Sequence, residues 1–237
     1  KDYFKDTSNI STYFSVDREF KHNQFKPLNV VILICESLGD EYIGFSNPDR
    51  NMSPFINQLI SKGLYFENMY ANGSRSTQGI AAILGSIPAL MEDPYIFSAY
   101  QSNKLRALGS ILKERAYSTA FYHGGEVGTM GFNNFMPLVG VDSYYGRSNY
   151  ISDNGFSAEK DYDGNWGIWD IPFFDYALDK INLSKKPFFS TLLTISVHHP
   201  FNTEPWFERK YTELNKINRS IMYTDYNLRV FFEKAAL

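Results

Sequence analysis

Runs of apolar residues alternate along the chain with segments whose apolar positions recur every three to four residues. The apolar runs predict strands at 28–35, 64–68, 117–122 and 187–197. The helical periodicity predicts helices at 53–63, immediately after Thr77, and at 105–115, 172–181 and 218–237. Residues 128–170 are aromatic and glycine-rich and show no clear period. The alternation of strands and helices predicts an α/β fold with a mostly parallel central sheet flanked by helices on both faces.

The first strand and the first helix have the clearest signals. The unbroken apolar run 28–35 is typical of a central parallel strand that is covered on both faces. The helix at 53–63 has Ser53 as its N-cap, Pro54 at its first position and Gly63 as its stop. Residues 1–27 lack a period and end at Pro27, which predicts an N-terminal arm or linker before one domain at 28–237.

Three polar residues follow the ends of predicted strands: Glu36, His123 and His198. The carboxyl ends of parallel strands meet at one edge of the sheet, where ligands bind in open α/β folds. For His198 the alternatives are the neighbouring His199 or a histidine that only packs in its loop. For His123 a histidine that is satisfied by backbone contacts is an equal alternative.

Thr77 lies where the polar, glycine-containing loop 72–76 runs into a helix. A carboxylate such as Glu36 can hold a divalent cation, and the cation lowers the pKa of a hydroxyl that it touches. The amides at the start of a helix then favour phosphate beside that hydroxyl. The pair predicts a metal-assisted nucleophile, with a plain helix cap as the alternative for Thr77 and a solvated carboxylate for Glu36.

Composition narrows the class of protein. The net charge of −3 and the pI near 5.8 argue against a nucleic-acid binder. Cys35 is the single cysteine, so it cannot form an internal disulfide and is expected to be a small buried apolar residue. No apolar run approaches the roughly 18 residues of a membrane span. The 17% aromatic content indicates either a bulky core or a carbohydrate- or membrane-facing surface, and Trp166 and Trp169 are candidates for either.

The order of motifs resembles the alkaline phosphatase and sulfatase superfamily. The motifs are a strand ending in Glu-Ser, the segment Ser-Pro-Phe-Ile-Asn-Gln-Leu, a helix led by threonine, Tyr-His-Gly and His-His-Pro-Phe. Within the superfamily, the chain is most similar to the lipoteichoic acid synthase and phosphoglycerol transferase branch, over about residues 28–237. Each motif is weak alone, and their order makes the combination fairly specific.

The resemblance implies roles for particular residues. Glu36 matches the first metal ligand, Thr77 the nucleophile that also touches the metal, and His198 the histidine that binds the phosphoryl or leaving group. His123 and Arg75 are further candidates for substrate binding, Arg75 because its planar guanidinium can clamp a phosphate. The resemblance implies one divalent cation, with manganese as the first choice and magnesium or zinc as alternatives.

The resemblance also implies a reaction. A phosphoglycerol or related headgroup unit would move from a phospholipid to a glycan or polyol acceptor through a phosphothreonine. The reaction would take place on the extracytoplasmic face of the membrane, with an N-terminal transmembrane region outside this chain as the tether.

The chain departs from the branch in three places. The branch takes its remaining metal ligands from an Asp-His pair after a helix like 218–237, so the domain is expected to be incomplete at its C-terminal end. The stretch 125–132 lacks the Trp/Arg pair that the branch often carries, and its Glu126 is not assigned to the acidic position of the branch. The identity of the headgroup donor therefore stays open. Ser76 stands where a basic residue is common, and Arg75 lies one step further back.

Several alternatives stay open. Sulfatase chemistry is disfavoured because residues 77–81 lack the oxidisable Cys or Ser and the Pro and Arg of that motif. A phosphoethanolamine transferase is the first alternative, disfavoured by the single cysteine. A non-catalytic glycan or lipid-headgroup binder and simple hydrolysis by water are the others.

Overall fold

The computed structural model describes residues 24–184 and 187–235, and within them the chain forms four strands and eight α-helices. The strands are β1 Val30–Ile34, β2 Ser118–His123, β3 Ser143–Tyr145 and β4 Phe188–Leu193. The helices are α1 Pro54–Lys62, α2 Ser76–Gly85, α3 Leu108–Lys113, α4 Phe132–Leu138, α5 Arg147–Asn154, α6 Asp170–Asn182, α7 Pro205–Lys210 and α8 Lys216–Ala235. Short 3₁₀ turns lie at Asp40–Tyr42, Pro48–Arg50, Tyr95–Phe97, Thr129–Gly131 and Phe156–Asp161.

The four strands form one parallel sheet in the order β1-β4-β2-β3. In its register, Leu193 at the end of β4 lies beside both Ile34 of β1 and His123 of β2. The carboxyl ends of three strands therefore meet at one edge, as the sequence predicts.

Successive side chains of the central strands enter two different cores. Phe121 of β2 and Leu193 of β4 pack in one core cluster with residues of α2 and α4. The adjacent Tyr122 and Leu192 pack in another, with residues of α6 and α8. This is the period of two that a strand imposes, and burying each large side chain contributes about 2 kcal/mol. The predicted mostly parallel sheet with helices on both faces is confirmed.

Among the described residues the first strand does not take the predicted central position. Within the described residues β1 pairs only with β4, so it lies at one end of the sheet, and Val31 is 41% exposed. The apolar run predicted a strand here correctly, but no residue of β1 is fully buried. An apolar run carries no information on how many neighbours a strand has.

Two further predictions need correction. Residues 64–68 form no strand and carry exposed apolar side chains, including Leu64 and Phe66. The stretch 128–170 is well structured, because it contains α4, β3 and α5. These elements are three to eight residues long, too short for a periodic pattern to show. The predicted arm 1–27 lies almost entirely outside the described residues.

Helix α1 has the predicted boundaries but a different cap. Ser53 occupies the N-cap position, yet its hydroxyl donates to the carbonyl of Tyr42. The carboxylate of Asp225 on α8 instead accepts the amide N–H groups of Phe55 and Ile56, at 3.0 and 2.8 Å. A side chain from a distant helix thus satisfies the first turn of α1. None of the helices in the described part of the chain combines the length and apolar character needed to span a bilayer.

Candidate active site

Two hydrogen bonds with Thr194, one to its hydroxyl and one from its amide, hold the backbone at the end of β1. The amide N–H of Glu36 donates to the hydroxyl of Thr194 at 2.9 Å, and the amide of Thr194 donates to the carbonyl of Ile34 at 3.0 Å. These bonds tie the ends of β1 and β4 together and fix where the Glu36 side chain begins. Thr194 was not singled out from the sequence, because it lies inside the apolar run predicted as a strand.

Both oxygens of the Glu36 carboxylate contact serine hydroxyls. Oε2 accepts the hydroxyl of Ser76 at 2.7 Å, and Oε1 accepts that of Ser37 at 3.0 Å. Ser76 is the first residue of α2, so the strand-end carboxylate does meet the start of this helix. The residue that makes the contact is Ser76, one position before the predicted Thr77.

Thr77 is the second residue of α2 and is only 5% exposed. The N-cap position belongs to Arg75, whose backbone is extended, so the interpretation of Thr77 as a plain N-cap is wrong. The helix begins at Ser76, two residues earlier than an N-cap at Thr77 would place it. The side chain of Arg75 is exposed.

A small cavity of about 20 Å³, enough for one water molecule, lies at the same edge of the sheet. It is lined by Glu36, His123, Thr129, Met130, Trp166, Leu193, Thr194, Ile195 and His198. Three predicted site residues, Glu36, His123 and His198, therefore share one cavity. Thr77 and Arg75 do not line it.

His123 is buried at the end of β2, with 4% of its surface exposed. Burial, with a smaller contribution from the nearby His198, lowers the pKa of its imidazole to about 4. A hydrogen bond to the backbone of Leu193 opposes this shift. His123 is therefore neutral at physiological pH. Its Nδ1 has no hydrogen-bond partner among the described residues, so this nitrogen can accept a hydrogen bond or ligate a metal.

His198 and His199 take different places. His198 borders the cavity and its ring packs against the indole of Trp166, with ring centroids 3.9 Å apart. His199 is exposed, and its carbonyl accepts the indole N–H of Trp166 at 2.6 Å. Of the ambiguous pair, His198 is the histidine in the cavity. Trp169, the other candidate tryptophan, is 8% exposed and lies in a core cluster.

Asp170 holds the turn that follows β4 through hydrogen bonds. This buried carboxylate accepts the amide N–H groups of Ile195 and Ser196 and the hydroxyl of Ser196, at 3.0, 3.1 and 2.5 Å. Burial raises its pKa to about 6, although the three hydrogen bonds pull the pKa down. One signal in the sequence could have pointed to Asp170, because an acidic residue is favoured in the first turn of a helix such as α6.

Cys35 packs partly buried against the second core cluster, beside Glu36. Burial raises the pKa of its thiol to about 12, and the carboxylates of Asp170 and Asp225 contribute. The thiol is therefore protonated and unreactive, which agrees with the predicted role as a small apolar residue.

The described residues include oxygen donors of the kind that a divalent cation prefers. The Glu36 carboxylate and the neighbouring hydroxyls are hard oxygen donors that suit one side of a divalent cation. Among residues 24–184 and 187–235, however, no three His, Cys, Asp or Glu side chains are grouped to hold a metal. The donor set fits the predicted ion in type but is not complete by itself.

These features define an α/β protein whose candidate site lies at the carboxyl edge of a parallel sheet, built from a carboxylate, hydroxyls and two imidazoles. The chain belongs to the Sulfatase family, whose profile matches residues 28–236.

Its relatives agree with the branch predicted from the motifs. Lipoteichoic acid synthase 2 of Bacillus subtilis (strain 168) is 22% identical over 206 residues, which are 84% of this chain and 31% of the relative. Phosphoglycerol transferase I of Xanthomonas campestris pv. campestris is 26% identical over 189 residues, which are 74% of this chain and 26% of the relative. The chain thus spans about a third or less of the length of these relatives.

The fold also has solved counterparts. The crystal structure of an alkaline phosphatase superfamily protein from Vibrio parahaemolyticus matches with a TM-score of 0.79 and 30% identity, over 90% of this chain and 52% of that chain. The predicted membership of the alkaline phosphatase and sulfatase superfamily is confirmed.

Proposed function

We propose that this chain is the phosphoryl-transfer domain of a metal-dependent transferase. It would move a phosphoglycerol or related headgroup unit from a phospholipid to a glycan or polyol acceptor. The relatives named as a lipoteichoic acid synthase and a phosphoglycerol transferase support this class of reaction. Phosphoethanolamine is the alternative headgroup.

The observation that carries the proposal is the contact between Glu36 and the first turn of α2. The 2.7 Å hydrogen bond from Ser76 to the carboxylate brings a strand-end acid to a helix start that has two successive hydroxyl residues, Ser76 and Thr77. Two histidines line the adjacent cavity. A protein that only bound a headgroup would need no nucleophile next to a carboxylate.

Thr77 is our proposed nucleophile. In the first step its Oγ loses its proton to water and bonds to the phosphorus of the phosphodiester. The bond from phosphorus to the diacylglycerol oxygen breaks, and that oxygen takes up a proton from the protonated imidazole of His198. In the second step an acceptor hydroxyl attacks the phosphothreonine and transfers its proton to the neutral His198. The bond from phosphorus to Oγ breaks, and Oγ takes up a proton from water.

Glu36 would hold the divalent cation, together with ligands from outside the described residues. Such an ion lowers the pKa of a neighbouring hydroxyl and offsets negative charge on phosphoryl oxygens. Manganese is the first choice, with magnesium or zinc as alternatives. His123, neutral and with its Nδ1 unpaired, would accept a hydrogen bond from the bound headgroup, and Arg75 would meet the phosphate from the exposed side of α2.

The setting follows from the proposed substrates. A phospholipid donor requires the site to reach a membrane surface, and the acceptor glycan places it on the extracytoplasmic face. A transmembrane region outside this chain would act as the tether, and residues 28–237 would form the catalytic domain together with a further C-terminal segment.

The test compares two single variants, Thr77→Ala and Ser76→Ala, in the full-length protein. The assay follows release of diacylglycerol from fluorescently labelled phosphatidylglycerol in the presence of Mn²⁺. We expect Thr77→Ala to lower turnover by about 10³-fold or more, since it removes the group that forms the covalent intermediate, and Ser76→Ala to lower it by less than about tenfold.

Mass spectrometry of the trapped protein gives the second readout. We expect one phosphoglycerol on Thr77 in the wild type and in Ser76→Ala. A modified Ser76 in place of Thr77 would move the nucleophile by one residue. Diacylglycerol release without any acceptor would indicate hydrolysis. No release and no modification, with headgroup binding retained, would overturn the proposal in favour of a binding domain.

A further inference from the structure

The indole of Trp166 makes two contacts that meet at His198. Its ring packs on the imidazole, with centroids 3.9 Å apart and planes inclined by 49°. Its N–H donates to the carbonyl of His199 at 2.6 Å, and the same carbonyl lies 3.5 Å from Nδ1 of His198. Trp166 thus touches the imidazole directly and also fixes the polar group beside one of its nitrogens.

Trp166 is itself held rigidly by its turn. One carboxylate oxygen of Asp163 accepts the amide N–H groups of Asn165, Trp166 and Gly167, at 2.7, 2.7 and 3.0 Å. Three amides on one charged acceptor fix the backbone on both sides of the tryptophan. The indole can therefore act as a support for another ring.

The turn is also anchored to the end of β2. The amide of Ile168 donates to the carbonyl of Gly124 at 2.9 Å, and Gly125 and Gly167 form an antiparallel bridge. A Cβ atom on Gly167 would lie 2.1 Å from the carbonyl oxygen of Gly124, so only glycine allows this approach. Through Trp166, the loop after β2 and the loop after β4 are joined across the cavity.

We propose that Trp166 is a positioning residue that fixes the plane and the tautomer of His198. The carbonyl of His199, held by the indole, favours a proton on Nδ1 because a lone pair there would face the oxygen. In the neutral ring Nε2 then carries the lone pair that takes the proton of the acceptor hydroxyl, and in the protonated ring Nε2 is the nitrogen that donates to the leaving oxygen. The catalytic consequence rests on the proposed function, whereas the placement of the ring does not.

The structural test uses the ligand-free protein labelled with ¹⁵N-histidine. Nitrogen chemical shifts of His198, assigned with the variant His198→Gln, report the fraction of each tautomer. We expect one dominant tautomer in the wild type, partial averaging in Trp166→Phe, which keeps a ring but loses the N–H, and full averaging in Trp166→Ala. Trp206→Phe is the matched control, since Trp206 belongs to α7 and its ring packs against Phe207 and Tyr226.

Unchanged His198 shifts in both Trp166 variants would overturn the proposal. If Trp166→Ala does not fold, Trp166→Phe alone decides, because it removes the bond to His199 while it retains an aromatic ring.

Kinetics provide a readout that separates this inference from the proposed function. With labelled phosphatidylglycerol we expect Trp166→Ala to lower kcat by about 10- to 100-fold with a smaller effect on KM, and Trp166→Phe to recover part of the loss. If the Trp166 variants alter the His198 shifts but the wild type has no turnover, the proposed function is contradicted and the positioning role is retained. Normal turnover with unchanged shifts would contradict the positioning role alone.

Discussion

Asp170 makes the stability of this protein depend on pH in a way that one substitution can isolate. Burial raises the pKa of this carboxyl from its ordinary value of 3.8 to about 6. The folded protein therefore holds the proton more tightly than the unfolded chain does. Between about pH 4 and pH 6 the folded state binds more protons, so the contribution of Asp170 to stability falls as the pH rises through that window.

The size of the effect follows from the two pKa values. Their difference corresponds to about 3 kcal/mol over the whole window. Roughly 1 kcal/mol of it falls between pH 7 and pH 5, because the folded-state midpoint lies between them. Asp170→Asn removes the titration. It also leaves one of the donors from Ile195 and Ser196 without an acceptor, at a cost of about 1 to 3 kcal/mol.

Urea denaturation at pH 7 and pH 5 measures both the pH-dependent contribution of Asp170 and the cost of the lost hydrogen bond. A chelator is present to hold cation occupancy constant. We expect the wild type to gain roughly 1 kcal/mol over Asp170→Asn on going from pH 7 to pH 5. Asp179→Asn, an exposed position on the same helix, is the control and should differ little from the wild type at either pH. An equal stability difference between wild type and Asp170→Asn at both pH values would refute the reasoning.

Three further predictions concern the supports of the site. Asp225→Ala should lower the free energy of unfolding by about 1 to 3 kcal/mol, because two amides in the first turn of α1 lose their acceptor; an unchanged urea midpoint would contradict this. Gly167→Ala should lower Tm by several degrees because its Cβ meets the carbonyl of Gly124, whereas Gly79→Ala, with open space around it, should raise Tm or leave it unchanged. Glu36→Gln should weaken Mn²⁺ binding, followed by electron paramagnetic resonance, by at least about tenfold, and an unaltered affinity would remove Glu36 from the ligand set.

The strand ends could be predicted because their signal is local. Glu36, His123 and His198 each follow an apolar run, and a parallel sheet brings such ends to one edge. The contact of Ser76 with Glu36 could not be predicted from the sequence. Moving the start of a helix by one residue turns its side chains by about 100°, which changes the side chain that faces a given partner. The sequence pattern predicts where a helix lies more reliably than which side chain faces a given partner.

Contacts between distant residues account for the other omissions. Asp170 and Asp225 look like ordinary acidic residues in helices, and their roles come from amides of separate segments. Likewise, the hydrophobic pattern of 28–35 is compatible with any position in a sheet. Pairing order depends on the whole chain, and it was therefore beyond the reach of periodicity.

The pairing of β1 with β4 has a consequence for how the protein is made. The bond from Glu36 to Thr194 closes a separation of 158 residues, and the cap of α1 by Asp225 closes one of 170. On the ribosome, β1 and α1 emerge long before either partner has been synthesised. Contacts of such long range form slowly, and the exposed apolar strand is open to wrong association in the meantime. Nascent chains that end before residue 188 have no β4 for β1 to pair with, so they should depend on chaperones until that strand has left the exit tunnel.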